Sequence, residues 1–280
     1  MPTVTALRSE LRDLGLATTG LKAELAERLA AHAAQQSAPW RQKHFIDSHK
    51  CATALFILAC IWYFDEWENP TAMLYLGRSL SLSLPLSLSL TSLRLLSLSL
   101  SLSSATHGVY GILWMLKSRA FGDRSWERPC GVLLPFINSG VYLWGGLSMY
   151  WMTPYLICKH GVQAPAWLLA LGVASFGFGV FFHFASDMQK HMHCALRPGT
   201  LLTSGLWKYT RNPNYFGELL IYFGFGSLAA EWAWVPFSVL GLFLTIIWIP
   251  NMLRKEKSLS RYVEFASYKS GSALLIPFVV

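Results

Sequence analysis

Polar and apolar positions alternate in two different ways along this chain. Within residues 1–34, Leu7, Leu11 and Leu14, then Leu21, Leu25 and Leu29, recur three or four positions apart among charged residues, which is the spacing of one face of an amphipathic helix. Gly15 and Gly20, with Thr18 and Thr19 between them, supply a stop and a start signal. The pattern predicts a helix, a turn and a second helix, followed by a linker over residues 35–50. From Cys51 onward the chain instead forms near-continuous apolar runs, at about 51–64, 106–115, 132–151, 166–185, 215–230 and 233–250. A membrane crossing takes roughly 20 residues, so the first run must recruit residues from His44 onward. The short second and fifth runs predict tilted or partly interfacial segments. The expected architecture is all-α: a polytopic membrane helix bundle of about six spans over residues 51–280, with a soluble helical hairpin at its N-terminus.

Residues 79–104 fit neither pattern, being nearly pure Ser-Leu alternation. Two-residue complexity over such a length is compositional bias before it is a strand. Leu76-Gly77 and His107-Gly108 would join smoothly without it, so the block reads as an insert that carries no chemistry.

Composition supports the membrane reading. Hydrophobic residues make up 53% of the chain, charged residues only 14%, and there are twelve tryptophans. That balance lies well away from soluble averages. The five cysteines, Cys51, Cys60, Cys130, Cys158 and Cys194, show no C-x-x-C spacing and suggest neither a disulfide framework nor a zinc site. His183, His191 and His193 show no evident third ligand at helical spacing together with a carboxylate, and no metal is expected. The first fifty residues have no charged-then-apolar leader, so insertion is expected to begin at the first run, as an uncleaved anchor.

Charge orients the bundle. Arg41, Lys43 and Lys50; Lys117, Arg119, Arg124 and Arg128; Lys190, Arg197, Lys208 and Arg211; and Arg254, Lys255, Lys257, Arg261 and Lys269 form four basic segments. Two spans separate each segment from the next, which returns the chain to the same side each time. The loops between hold Asp65, Glu66, Glu68, Lys159 and Glu231. The positive-inside rule then makes the basic side, and with it the N-terminus, cytoplasmic. A multi-pass protein of the endoplasmic reticulum or another internal membrane is expected. The net charge of +8 reflects this topology together with a phosphate-rich ligand.

Residues 205–218 read GLWKYTRNPNYFGE, with two cations, two asparagines, a proline and an acid set between apolar runs. Ionisable groups at a bilayer edge are expensive unless a ligand, a partner or water satisfies them, which makes this string the leading candidate site. Upstream lies HFASDMQK, with Asp187 and Lys190; downstream lies RKEKSLSRYVEFASYKSGSALLIPF, with Arg254, Glu256, Tyr262, Tyr268 and Pro277. From about residue 166 onward these pieces resemble the C-terminal part of the steroid 5α-reductase family, matching at Arg211, Asn212, Pro213, Asn214, Tyr215, Gly217 and Glu218. LRSELRDLGLATTGLKAELAERL, with Gly15-Leu16, Gly20, Lys22, Glu24-Leu25 and Arg28-Leu29, resembles the SAP motif.

The first resemblance implies a membrane oxidoreductase that uses NADPH to reduce a C=C bond conjugated to a carbonyl in a sterol or other hydrophobic lipid. Lys190, Arg197, Lys208, Arg211, Arg254 and Lys255 would then meet the cofactor's phosphates. Asp187, Asn212, Asn214, Glu218 and Asn251 would read its ribose hydroxyls and amide. Tyr215, Tyr262 and Tyr268, with Glu256, complete the implied cofactor set. His107 and Tyr110, one helical turn apart, are the candidate acids. Arg211→Ala is expected to weaken NADPH binding while leaving the fold intact. Isoprenylcysteine methyltransferases share the Arg-x-Pro-x-Tyr-x-Gly string, so an S-adenosylmethionine-dependent methyltransferase is an open alternative. The second resemblance implies DNA contact through residues 5–32, with Arg8, Arg12, Lys22 and Arg28 on phosphates. Glu10, Asp13, Glu24 and Glu27 cancel those four charges, which weakens any counterion-release affinity and keeps a protein partner open. A non-catalytic, reductase-like membrane body that tethers DNA or protein is the third reading.

Overall fold

The computed structural model describes residues 2–36, 40–72, 107–127, 129–130 and 148–279. The Ser-Leu block at 79–104 and most of the apolar run at 132–151 lie outside the described residues.

The N-terminal hairpin consists of α1 (Val4–Asp13) and α2 (Lys22–Gln36). The Thr3 hydroxyl accepts from Ala6 N at 3.2 Å and caps α1, filling one of the donors a helix start leaves open. Gly15, at φ +67°, ends the helix in the left-handed conformation that glycine tolerates best. Leu7, Leu11 and Leu25 form the buried core, with Val4, Leu16 and Leu29 packed around them. Leu14 and Leu21, expected on the same faces, are exposed instead. Arg28 Nη1 donates to the turn carbonyls of Ala17 (2.5 Å) and Thr19 (3.1 Å). This arginine, expected on phosphate, already closes the hairpin.

The bundle comprises α3 (Gln42–Phe64), α4 (His107–Phe121), α5 (Met149–His160), α6 (Ala166–Leu196), α7 (Pro213–Ser227), α8 (Trp234–Phe243), α9 (Ile249–Leu259) and a terminal α10 (Phe265–Ser270). A π-helical turn, Leu244–Trp248, joins α8 to α9. A two-residue antiparallel pair, β1 (Trp40–Arg41) with β2 (Pro129–Cys130), ties the start of α3 to the segment after α4.

Three helical segments are long and apolar enough to cross a membrane: Gln42–Phe64, Ala166–Leu196 and Ala230–Leu259. The described residues therefore carry three of the roughly six expected spans. α4 and α7 are helical where runs were expected, but each has only 15 residues. Helix α3 begins at Gln42, so the second half of the expected linker is helix. Its polar residues find partners: Asp47 accepts from Trp114 Nε1 at 2.9 Å and Ser118 Oγ at 3.1 Å.

Helices α6 and α7 make the closest approach. A Cβ placed on Gly179 would lie 2.7 Å from Gly217 O, and one on Gly224 would lie 2.7 Å from Gly172 O. Small residues let two backbones meet at such distances, so the glycine-rich run at 172–179 serves packing. The shared core includes Ile57, Ile61, Tyr110, Trp114, Tyr150, Phe176, Ile221 and Phe225. The contact also brings His183 and Asp187 on α6 beside the first turns of α7, which carry Asn214 and Glu218.

Candidate active site

Two polar clusters occupy the end of the bundle near the signature string. The first is a buried centre shared by α3, α4, α5, α6 and α7. Lys117 on α4, 3% exposed, makes an ion pair with Asp187 on α6 at 2.5 Å. Its Nζ also lies 3.2 Å from His183 Nε2. His183 Nδ1 lies 3.1 Å from the carbonyl of Asn214, which can only accept. Nδ1 therefore carries the proton, leaving Nε2 to accept from Lys117.

Lys50 on α3, 6% exposed, donates to the Tyr150 hydroxyl at 2.5 Å. Its ammonium also lies over the rings of Tyr150, Trp114 and Tyr110, at 3.8, 4.9 and 5.0 Å from their centroids. Tyr222 on α7 packs against Tyr150 with centroids 5.1 Å apart. Glu218, one helical turn from Asn214 on α7, interacts electrostatically with Lys50 and Lys117. Among the described residues neither lysine lies within ion-pair distance of it. Asn214 Oδ1 is buried and has no hydrogen-bond partner among the described residues.

The second cluster clamps the C-terminal segment. Arg211, 6% exposed, pairs through Nε with Glu256 on α9, and through Nη1 with the carbonyls of Lys269 and Ser272. Lys269 Nζ reaches the other Glu256 oxygen at 2.8 Å. Lys255 Nζ donates to Arg211 O at 2.9 Å and Asn212 Oδ1 at 3.0 Å, while Asn212 Nδ2 donates to Leu274 O at 2.8 Å. A parallel backbone bridge joins Thr210 to Ala273. The Tyr268 hydroxyl donates to Trp207 O at 2.5 Å, and burial pushes its phenol up to about 12.

The expected site residues thus divide. Tyr110 (1% exposed), Asp187, Asn214 and Glu218 belong to the centre. Tyr215 packs at a tilt against Trp248, with centroids 5.2 Å apart, and shares a side-chain hydrogen bond with Asn251. Arg211, Asn212, Glu256 and Tyr268 belong to the clamp. The expectation that Arg211 contributes little to the fold does not match its burial, because its guanidinium is committed to the chain's own end. Lys190 pairs with Asp123 at 3.6 Å and lines a small cleft with Asp187, His191 and Phe121. Arg197, Lys208 and Arg254 are exposed, and Tyr262 accepts from Arg261 Nη2 at 3.2 Å. His107 opens α4, and its side chain lies outside the described residues.

Lys50, Lys117, Tyr150, Tyr222 and His183 were not expected in a site. The two lysines were assigned to solvated basic segments. Both abut apolar runs, however, and continuing α3 back to Gln42 and α4 on to Phe121 turns these flanking charges inward. That adjacency was the available signal.

The arrangement suits the cofactor that the signature string implies. Asn214 Oδ1, a buried acceptor with no donor among the described residues, could take an amide NH2, and Lys190, Arg197, Lys208 and Arg254 offer cations for phosphates at the same end of the bundle.

Residues 137–271 match the model of a family described as Protein of unknown function (DUF1295), which includes steroid 5α-reductase-like proteins. Residues 3–33 match the SAP domain. No curated protein and no solved structure matches the chain.

Proposed function

We propose that this protein is a membrane oxidoreductase that uses NADPH to reduce a C=C bond conjugated to the carbonyl of a sterol or other lipid enone. It would work in the endoplasmic reticulum or another internal membrane, with the hairpin on the cytoplasmic side. The observation that carries the proposal is the buried Lys50 ammonium on the Tyr150 hydroxyl, with the half-buried Glu218 carboxylate on the neighbouring α7, among apolar helices. Charged groups inside a membrane bundle are retained for function.

NADPH, when bound, supplies hydride. The protein's own residues supply position and charge. Asn214 Oδ1 would accept from the cofactor's amide, and Lys190 and Arg254 would meet its phosphates. Glu218 offsets part of the charge of Lys50. Tyr110 lies within the same centre as an acid, beside the Lys50 ammonium. Phe176, Phe184 and Phe225, whose centroids lie 6.1, 6.2 and 6.4 Å from that of Tyr110, shield the reacting carbons from water.

The test uses the purified full chain in detergent. Adding cholestenone should consume NADPH and yield the saturated ketone by mass spectrometry. Failure to bind NADPH, with saturable binding of S-adenosylmethionine, would replace the reductase with a methyltransferase.

A second reading concerns the hairpin alone and rests on its SAP match. Residues 5–32 would contact DNA through Arg8, Arg12 and Lys22, since Arg28 is engaged in the turn. The expected binding is weak and falls steeply with salt. If Arg12→Glu retains duplex DNA as the parent does, the DNA role fails.

A further inference from the structure

Further along α3 and α5 from Lys50 and Tyr150, the two helices frame an open groove of about 510 Å³. That size falls within the range of about 300–1,000 Å³ usual for sites that hold small organic molecules. Phe56, Ala59, Cys60, Phe64 and Tyr155 line it, and the exposed Trp62 and Tyr63 complete it. Its walls are preformed: Phe56 stacks on Trp151 with centroids 4.3 Å apart, and Phe64 meets Tyr155 edge to face at 5.8 Å. An exposed apolar surface with a polar rim marks a place of interaction, and aromatic side chains gather where a span meets the headgroups.

The rim carries charges of both signs. Lys159, one helical turn beyond Tyr155 on α5, holds its ammonium 5.4 Å from the centroid of that ring. Asp65 follows Phe64 directly and ends α3, with Glu68 three residues further on. Because the Phe64 and Tyr155 rings meet, a carboxylate from one helix and a cation from the other bracket the same end of the groove. All three side chains are exposed, and none has an ion-pair partner among the described residues. Lys159 was also the one lysine or arginine that the sequence set among the acids Asp65, Glu66, Glu68 and Glu231.

We propose that this groove binds a zwitterionic phospholipid of the surrounding bilayer. One acyl chain lies along Phe56, Ala59 and Tyr155, the phosphate meets Lys159, and the headgroup amine meets Asp65 and Glu68. Charge complementarity selects this occupant. A sterol brings a single hydroxyl and leaves both signs of charge unanswered, and an anionic lipid without an amine gives the carboxylates nothing to bind. The site is separate from the buried centre and holds whether or not the protein is a reductase.

The test uses the full-length chain, purified in detergent, stripped of lipid and titrated with dioleoylphosphatidylcholine under native mass spectrometry. One phosphatidylcholine should be retained, more tightly than dioleoylphosphatidylglycerol or cholesterol. Lys159→Ala should weaken its retention about tenfold. Ala59→Trp fills the groove from an exposed position without touching a charge, and should abolish retention while melting, free of lipid, with the parent. Equal retention by the parent and both variants would mean unspecific lipid contact and overturn the assignment. Tighter binding of cholesterol or phosphatidylglycerol, or a lipid-free dimer that Ala59→Trp breaks, would give the groove to another occupant and overturn it as well.

Discussion

The buried centre and the C-terminal clamp are built from the same residue types and share one short stretch of chain, yet they settle their charges in opposite ways. In the clamp every charged group has a protein partner: Arg211 has Glu256 and two carbonyls, Glu256 also has Lys269, and Lys255 has Arg211 O and Asn212 Oδ1. In the centre Lys117 is paired, while among the described residues Lys50 and Glu218 form no ion pair and Asn214 Oδ1 has no donor. A saturated network stabilises a fold; an unsaturated one is poised for a ligand. The signature string therefore carries two tasks in sequence. Its first half, through Asn212, ties down the chain's end. Its second half, from Asn214 to Glu218, turns one face of α7 toward the buried centre.

The sharpest way to break this contrast is to cut the clamp. Arg211→Ala leaves the mostly buried Glu256 carboxylate with only the exposed Lys269, and breaking such a pair costs about 3–5 kcal/mol. The thermal midpoint of the purified protein should fall by many degrees. A midpoint equal to the parent's would return Arg211 to the cofactor. Next in size is Gly217→Ala at the α6–α7 contact, where a Cβ would lie 2.7 Å from Gly179 O. Overpacking of this kind costs about 1–3 kcal/mol, and by prising His183 from Asn214 it should lower turnover as well as the midpoint. Unchanged values of both would mean that the centre does not depend on this approach.

Tyr268 offers a smaller effect with a defined pH window. Its phenol stands at about 12, raised by burial from 10.0. An acid whose folded value is raised contributes stability that is full below the unfolded value and is lost as pH rises through the folded one. The parent's midpoint should therefore drop between about pH 10 and about pH 12, and Tyr268→Phe should flatten part of that drop. Removing the hydrogen bond to Trp207 O should also cost about 0.5–1.5 kcal/mol at neutral pH. The smallest stability effect belongs to Arg254→Ala. This exposed side chain should shift stability by no more than about 0.5 kcal/mol, yet weaken NADPH binding about tenfold. Calorimetric titration against the parent checks it.

The amphipathic hairpin, the helical nature of the apolar runs and the packing role of Gly172 and Gly179 were all legible from residue pattern. Asn214 and Glu218 were legible because the signature string places them one helical turn apart, and Asp187 because the upstream piece HFASDMQK carries the same family resemblance. Arg211 was misjudged because its partners, Glu256 and the carbonyls of Lys269 and Ser272, lie far along the chain. A cation's local surroundings do not reveal whether a distant carboxylate will reach it. Lys50 and Lys117 were misplaced for a related reason. Charges flanking an apolar run are normally the marks of its solvated end, and only the extent of α3 and α4 shows these two inside.

The measurement that bears most directly on the division between structure and chemistry compares two conservative variants, Glu218→Gln and Arg211→Lys, by melting midpoint and by NADPH-dependent reduction of cholestenone. Glu218→Gln should melt with the parent and lose at least about tenfold in rate, since it removes the charge that offsets Lys50 without breaking an ion pair. Arg211→Lys should melt several degrees lower while each folded molecule reduces the enone at the parent's rate. The opposite outcome, a destabilised Glu218→Gln that still turns over and a stable Arg211→Lys that does not, would contradict the account.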